Sequence, residues 1–206
     1  MSVKAVVHVI DDDVAVRKSL AFLLASDRLP VRVHESGAAF LEEINKATSG
    51  CIVTDVRMPE INGIELMRRL KARGITIPVI VMTGHADVPL AVEAMKEGAL
   101  DFIEKPFDDE VLLAAVRAAL ERQEETAQQG ARAAELAARL HSLSDRERQV
   151  LELLVAGKAN KVIAFELGIS PRTVEIYRAN VMSKMQAGSL SELVRMALLA
   201  GLSPLS

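Results

Sequence analysis

Three short apolar runs in the first half of the chain each stop on a charged side chain. The run through Val6, Val7, His8, Val9 and Ile10 ends on Asp11, Asp12 and Asp13; a second, through Cys51, Ile52, Val53 and Thr54, ends on Asp55; a third, through Phe102, Ile103 and Glu104, ends on Lys105 and Pro106. β-branched runs at residues 3–10, 31–34, 51–55, 79–82 and 101–103 read as strands. Helix-periodic segments at residues 14–24, 64–71, 88–97 and 109–120 separate them. Alternation of this kind implies βαβ crossovers and a parallel sheet covered by helices on both faces. In such a sheet the ligand crevice lies at the carboxyl ends of the strands, where these charges fall. Carboxylates gathered there repel one another unless a hard cation intervenes, and Mg²⁺ suits a few oxygens together with phosphate.

With 206 residues, 50% of them hydrophobic, the chain has room for one large domain or two small ones. Aromatic residues make up only 3%, so Val, Ile, Leu and Ala must fill the cores. The single cysteine, Cys51, lies inside an apolar run and reads as a small buried hydrophobe. No signal-peptide pattern and no bilayer-length apolar stretch is present, so the expectation is a cytoplasmic protein with no membrane partner. From Ser142 onward eight Lys and Arg face six Asp and Glu, a charge of +2, and the preceding residues carry −5 towards the net −3. That mild basicity does not by itself identify a nucleic-acid partner.

Residues 121–141 are rich in Ala, Glu, Gln and Arg and read as a bridging helix with a thin stripe at Leu136, Leu140 and Leu143. Beyond it the pattern is all helical. Ser144 with Glu147 is a capping-box signature, Gly157 and Gly168 close the first two helices, and Ser170 with Pro171 opens a third. Residues 190–200 form a fourth, stopped by Gly201. On the third helix Val174, Tyr177, Val181 and Met185 form a core stripe. Arg172, Glu175, Ile176, Ala179 and Ser183 fall mostly on the other side. Such a face suits the major groove, but periodicity alone equally describes a solvated helix.

Aspartates at strand ends taken singly serve as helix caps more often than as ligands, and Asp13 before Val14 fits that role. Together, Asp11, Asp12, Asp55, Thr83 and Lys105 match what carboxylate phosphorylation needs: a nucleophile, a metal site, a hydroxyl and a cation. Residues 1–120 resemble the receiver domain of two-component response regulators, a flavodoxin-like fold with a parallel five-stranded sheet. The resemblance implies that Asp55 is the phosphoacceptor. It implies Mg²⁺, with Mn²⁺ as a substitute, held by Asp12 and Asp55 directly, by Asp11 through water and by the backbone carbonyl of Arg57. Thr83 and Lys105 would bind the phosphoryl group and Phe102 would be the aromatic switch. The Lys105–Pro106 bond is cis in relatives, and His85 reads as a loop residue near the pocket. Haloacid-dehalogenase phosphatases also use an Asp nucleophile, but they need a second Asp where this chain has Arg57.

Residues 143–185 resemble the LuxR/FixJ-type helix-turn-helix, carried by Ser144–Leu151, by Asn160-Lys161-Val162-Ile163-Ala164 and by Ser170-Pro171-Arg172-Thr173-Val174-Glu175. Relatives often have His where this chain has Tyr177. The order of the two modules is that of FixJ-like regulators. The expected organisation is therefore α/β plus all-α: a receiver at 1–120, a helical linker at 121–141 and a four-helix DNA-binding domain at 142–206. Glu175, Ile176 and Ala179 are expected at the groove floor, and Lys161, Arg172, Thr173 and Lys184 at phosphates. The implied partners are a sensor histidine kinase, double-stranded DNA, RNA polymerase and a second, phosphorylated copy. Such a chain is no enzyme towards free substrates, although it assists its own phosphotransfer and dephosphorylation. Two other classes stay open: a phosphate-independent regulator, and a phosphatase or phosphotransfer enzyme.

Overall fold

The computed structural model describes residues 5–45, 48–84 and 88–202. Two compact units divide between Thr126 and Ala127. In the first, β1 (Val6–Ile10), β2 (Val31–His34), β3 (Gly50–Asp55), β4 (Val79–Thr83) and β5 (Asp101–Glu104) form one parallel sheet of order β2-β1-β3-β4-β5. Helices α1 (Val14–Ser26), α2 (Gly37–Glu43), α3 (Gly63–Ala72), α4 (Val88–Glu97) and α5 (Asp109–His141) follow the strands in turn. This is the doubly wound, flavodoxin-like arrangement that the alternating pattern predicts.

Strand alternation gives the sheet two apolar faces. Val7, Val9, Cys51, Val53, Ile80, Met82 and Ile103 pack with Leu20 and Leu24 of α1 and with Leu112, Val116 and Ala119 of α5. Ile10, Ile52, Val79 and Val81 pack with Phe40, Leu66, Leu70 and Ala94 from α2, α3 and α4. Every residue of the central strand β3 is buried, as a strand covered on both sides requires. Burial pushes the Cys51 thiol up to about 12, which keeps it an inert core group.

Three elements refine the sequence expectation. α2 is a seven-residue helix that the periodic pattern did not reveal; Ser36 caps it through the backbone N–H of Ala39. α5 is one helix of 33 residues that runs through both the 109–120 segment and the bridging helix at 121–141. Gly130 costs about 1 kcal/mol against Ala, too little to interrupt a run of strong helix formers. β1 begins at Val6, and the expected strand residues Val3 and Lys4 lie outside the described residues. Among the described residues no helix is long and apolar enough to cross a membrane.

One polar cluster sits inside the first unit. His8 Nδ1 and His34 Nε2 lie 3.1 Å apart across β1 and β2, and both rings pack edge-on against Phe40. His8 Nε2 has no hydrogen-bond partner. Burial, with His34 and Arg32 adding repulsion, lowers the His8 pKa to about 4. An unfolded His titrates near 6.5, so the unfolded chain takes up this proton first. Stability is therefore full above pH ~6.5 and is lost as pH falls from there towards 4, by up to about 3 kcal/mol. Urea midpoints of the first unit should drop between pH 7.5 and 5, and His8→Leu should flatten that slope. An unchanged slope in the variant would assign the acid sensitivity to other groups.

The second unit is built by α6 (Asp145–Val155), α7 (Asn160–Leu167), α8 (Pro171–Met185) and α9 (Leu190–Leu199). Its core comprises Val150, Leu151, Ile163, Val174, Val181, Met185, Leu193 and Ala197, joined by Leu140 from the tail of α5.

Candidate functional site

Strand register alone aligns the charged ends. Ile10 pairs with Thr54, Asp55 with Met82 and Thr83 with Glu104, so Asp11, Asp55, Thr83 and Lys105 emerge at one edge of the sheet. Lys105 Nζ bridges the carboxylates, 2.8 Å from Asp55 Oδ1 and 2.9 Å from Asp11 Oδ2. Burial opposes the charge on Lys105, but its hydrogen bonds to Asp55 and Asp11 outweigh that, and its pKa lies above the ordinary lysine value. The Lys105–Pro106 peptide is cis.

The remaining carboxylate oxygens are also oriented. Asp55 Oδ2 accepts from the backbone N–H of Arg57 at 2.8 Å. Asp11 Oδ1 accepts from the N–H of Asp13 at 2.9 Å, and the guanidinium of Arg17 donates to the Asp11 carbonyl at 2.6 Å. Asp13 caps α1 through the N–H of Ala15. Gly63 lies against the same loop, where an added Cβ would stand 2.6 Å from the Asp55 carbonyl oxygen. Only glycine permits that approach. Neither Arg17 nor Gly63 was singled out from sequence, although Asn62-Gly63 is a turn signal.

Asp11 and Asp55 are buried, whereas Asp12 and Arg57 are exposed. Thr83 is fully buried at the end of β4, and Phe102 is half-buried beside the α3/α4 core. His85 lies outside the described residues. Among the described residues no three His, Cys, Asp or Glu side chains are grouped to hold a metal. Mg²⁺ needs no such cage: it is usually held by one or two carboxylates, waters and a substrate phosphate. Asp11 and Asp55 offer that hard-oxygen donor set, without a thiolate or imidazole that would favour zinc.

In the second unit, Ser170 caps α8 and Pro171 opens it. Val174, Val181 and Met185 are fully buried and Tyr177 is half-buried. Arg172, Glu175, Ile176, Ala179 and Ser183 are exposed, as is Lys161 on α7; Thr173 is half-buried, with its hydroxyl 2.8 Å from Ser170 Oγ. Ile176 is 56% exposed, a large aliphatic group with no core role. Lys184 is occupied: its ammonium lies 2.6 Å from Glu147 Oε2 and 3.2 Å from the Ser142 carbonyl. Lys184, followed by the Ser144 amide, holds the Glu147 carboxyl below the usual carboxylate range. A phosphate contact by Lys184 would compete with that ion pair. Arg178 donates to Asn160 Oδ1 at 2.7 Å and joins α8 to the first turn of α7.

The response regulator receiver domain family matches residues 7–117, and the luxR family of bacterial regulatory proteins matches residues 141–197. The transcriptional regulatory protein FixJ of Azorhizobium caulinodans is 65% identical over 198 residues, covering 96% of this chain and 94% of that protein. FixJ of Bradyrhizobium diazoefficiens is 55% identical over 202 residues, covering 98% of each. Among solved structures, the response regulator StyR superposes with a TM-score of 0.87 at 40% identity, over 95% of this chain and 99% of that one. Full-length FixJ from B. japonicum gives 0.59 at 54% identity, over 98% and 100%.

Proposed function

The chain belongs to the response regulators, with a receiver domain joined to a LuxR-type DNA-binding domain, and from that premise we propose that phosphorylation of Asp55 by a sensor histidine kinase switches its binding to DNA. The observation that carries this reading is the Asp11–Lys105–Asp55 bridge, with one Lys ammonium within 2.9 Å of both carboxylates at the carboxyl edge of the sheet. The same chain carries an exposed face on α8. Residues 1–120 act as the receiver, 121–141 as linker and 142–206 as the DNA-binding domain.

Asp55 is the nucleophile. Its Oδ2 is oriented by the Arg57 amide, and its Oδ1, released from Lys105, forms the new O–P bond as the P–N bond to the kinase's phosphohistidine breaks and the imidazole leaves with that electron pair. Lys105 then pairs with the phosphoryl oxygens, and the Thr83 hydroxyl donates to them. Asp11, Asp12, Asp55 and the Arg57 carbonyl are the groups that would hold Mg²⁺, which when bound supplies charge neutralisation at the phosphoryl oxygens; Mn²⁺ can substitute. The arrangement assists phosphotransfer and dephosphorylation on the chain itself. Labelling from acetyl phosphate should stop in EDTA and return with Mg²⁺; undiminished labelling after thorough chelation would exclude the metal.

Phosphorylation adds charge and acceptor oxygens beside Thr83. Movement of Thr83 draws Phe102 inward and reshapes the face made by α4, β5 and α5. This biases an existing equilibrium towards a homodimer or towards release of the DNA-binding domain. A dimer presents two α8 helices about one DNA turn apart, ~34 Å. RNA polymerase is the further partner, and the cytoplasm the compartment.

Within α8, Glu175, Ile176 and Ala179 read base edges, while Arg172 and Thr173, with Lys161 of α7, position the helix on phosphates. Lys184 contributes to phosphate binding only to the extent that it leaves Glu147. Glu175→Gln should change the preferred base at one position, by roughly 1–3 kcal/mol. Binding-site selection with both proteins checks this. An unchanged preferred sequence with affinity merely scaled would place the reading face elsewhere on the helix.

A further inference from the structure

The carboxyl end of α8 is fastened to the stretch that runs from the tail of α5 into α6. Arg139 Nη1 donates to the Met185 carbonyl at 2.9 Å, and its Nη2 donates to Glu135 Oε1 at 2.6 Å. One residue earlier, Lys184 binds Glu147 and the Ser142 carbonyl, and Glu147 in turn accepts from Ser144. Met185 ends the helix, with Gln186 beyond it at a φ of 55°. Its carbonyl is one that no further turn of helix can satisfy, and a guanidinium there also meets the negative end of the helix dipole. Leu140, next to Arg139, is 4% exposed and belongs to the core of the second unit. Arg139 is itself held in place, with its side chain 21% exposed.

We propose that Arg139 is a positioning residue for DNA recognition: by pinning the Met185 carbonyl, it makes the tail of α5 set the angle at which α8 meets the groove. The inference rests on the assignment of Glu175, Ile176 and Ala179 as base readers. Glu175 precedes Met185 by ten residues, which is about 15 Å of helix at ~1.5 Å per residue. A pivot of a few degrees at the pinned end moves the Glu175 side chain by roughly 1 Å, which takes a hydrogen bond of ~2.9 Å out of range. Phosphate contacts tolerate such a shift better, because charge attraction falls off slowly with distance. Loss of the pin therefore lowers discrimination more than general affinity.

The test uses the full chain treated with acetyl phosphate and Mg²⁺. Its probes are a duplex bearing the site selected by the wild type and a scrambled duplex. Arg139→Met keeps the aliphatic stem and removes the donors. Its affinity for the selected site should fall about tenfold, the size of one mismatched base pair. Binding to the scrambled duplex and the salt slope should stay unchanged, and the second unit should remain fully folded under the binding conditions although its urea midpoint falls slightly with the loss of the carbonyl's partner. Arg139→Lys, which keeps one charged donor, should regain most of the loss. The proposal is overturned by an unchanged ratio of the two affinities, or by both affinities falling with the folded fraction. It is equally overturned by a salt slope reduced by about one, the mark of a direct phosphate contact, or by a Lys variant no better than Met. A wild type without site preference would instead defeat the base-reading assignment on which the inference stands.

Discussion

Asp55→Asn should take up no label from acetyl phosphate under conditions in which the wild type is labelled. The amide keeps the shape of the carboxylate but has no anionic oxygen to attack phosphorus. The pocket itself should survive, because Lys105 retains Asp11 at 2.9 Å and the Arg57 amide still has an oxygen acceptor at position 55. The label on the wild type should be acid-stable and hydroxylamine-labile, as an acyl phosphate is. Persistent, hydroxylamine-labile label on the Asn variant would move the acceptor to Asp11 or Asp12.

Val181→Asp should unfold the DNA-binding unit and leave the receiver competent. Val181 is 0% exposed on the buried side of α8, within the core formed by Val150, Leu151, Ile163 and Met185. A carboxylate at position 181 would meet a core made of hydrophobic side chains. The cost is at least about 4 kcal/mol, a large share of the ~5–15 kcal/mol that stabilises a domain. Helical circular dichroism should fall and binding to every duplex should be lost, while labelling at Asp55 continues, because the receiver has its own two apolar clusters. A folded Val181→Asp that binds DNA with altered preference would put position 181 on the reading face and reverse the orientation assigned to α8.

Much of the fold was legible because its signals are periodic and local. β-branched runs bounded by charges gave the five strands, and their alternation with helices gave the parallel sheet. Ser144 with Glu147 announced α6, where both halves of the capping box are present. α2 was not legible. Seven residues span two turns, too few for a 3.6-residue period to emerge, and its amino end is marked only by Ser36. Both halves of α5 were legible as helix, at 109–120 and 121–141, and a change in composition between them does not end a helix.

The pocket was legible for a different reason. Its groups sit at strand ends, and a parallel sheet brings strand ends together, so position in sequence stands in for position in space. Contacts that depend on tertiary register had no such proxy. His8 meets His34 only because β1 and β2 pair with Ile10 opposite His34. Lys184 meets Glu147 from 37 residues away, and Arg139 reaches Met185 from 46. Lys184 shows the consequence: helical spacing placed it outward, and the fold sets its ammonium 2.6 Å from the buried Glu147 carboxylate.

Phosphorylation-dependent DNA binding is the centre of this account, and one titration addresses it directly. A duplex carrying the selected site is titrated with wild type and with Asp55→Asn, each with and without acetyl phosphate and Mg²⁺. The account predicts that the wild type binds more tightly when treated, that EDTA cancels the gain, and that the Asn variant keeps its untreated affinity throughout. Equal binding by treated and untreated wild type, with Asp55 labelled to completion, would contradict it and leave a regulator whose receiver does not control its grip on DNA.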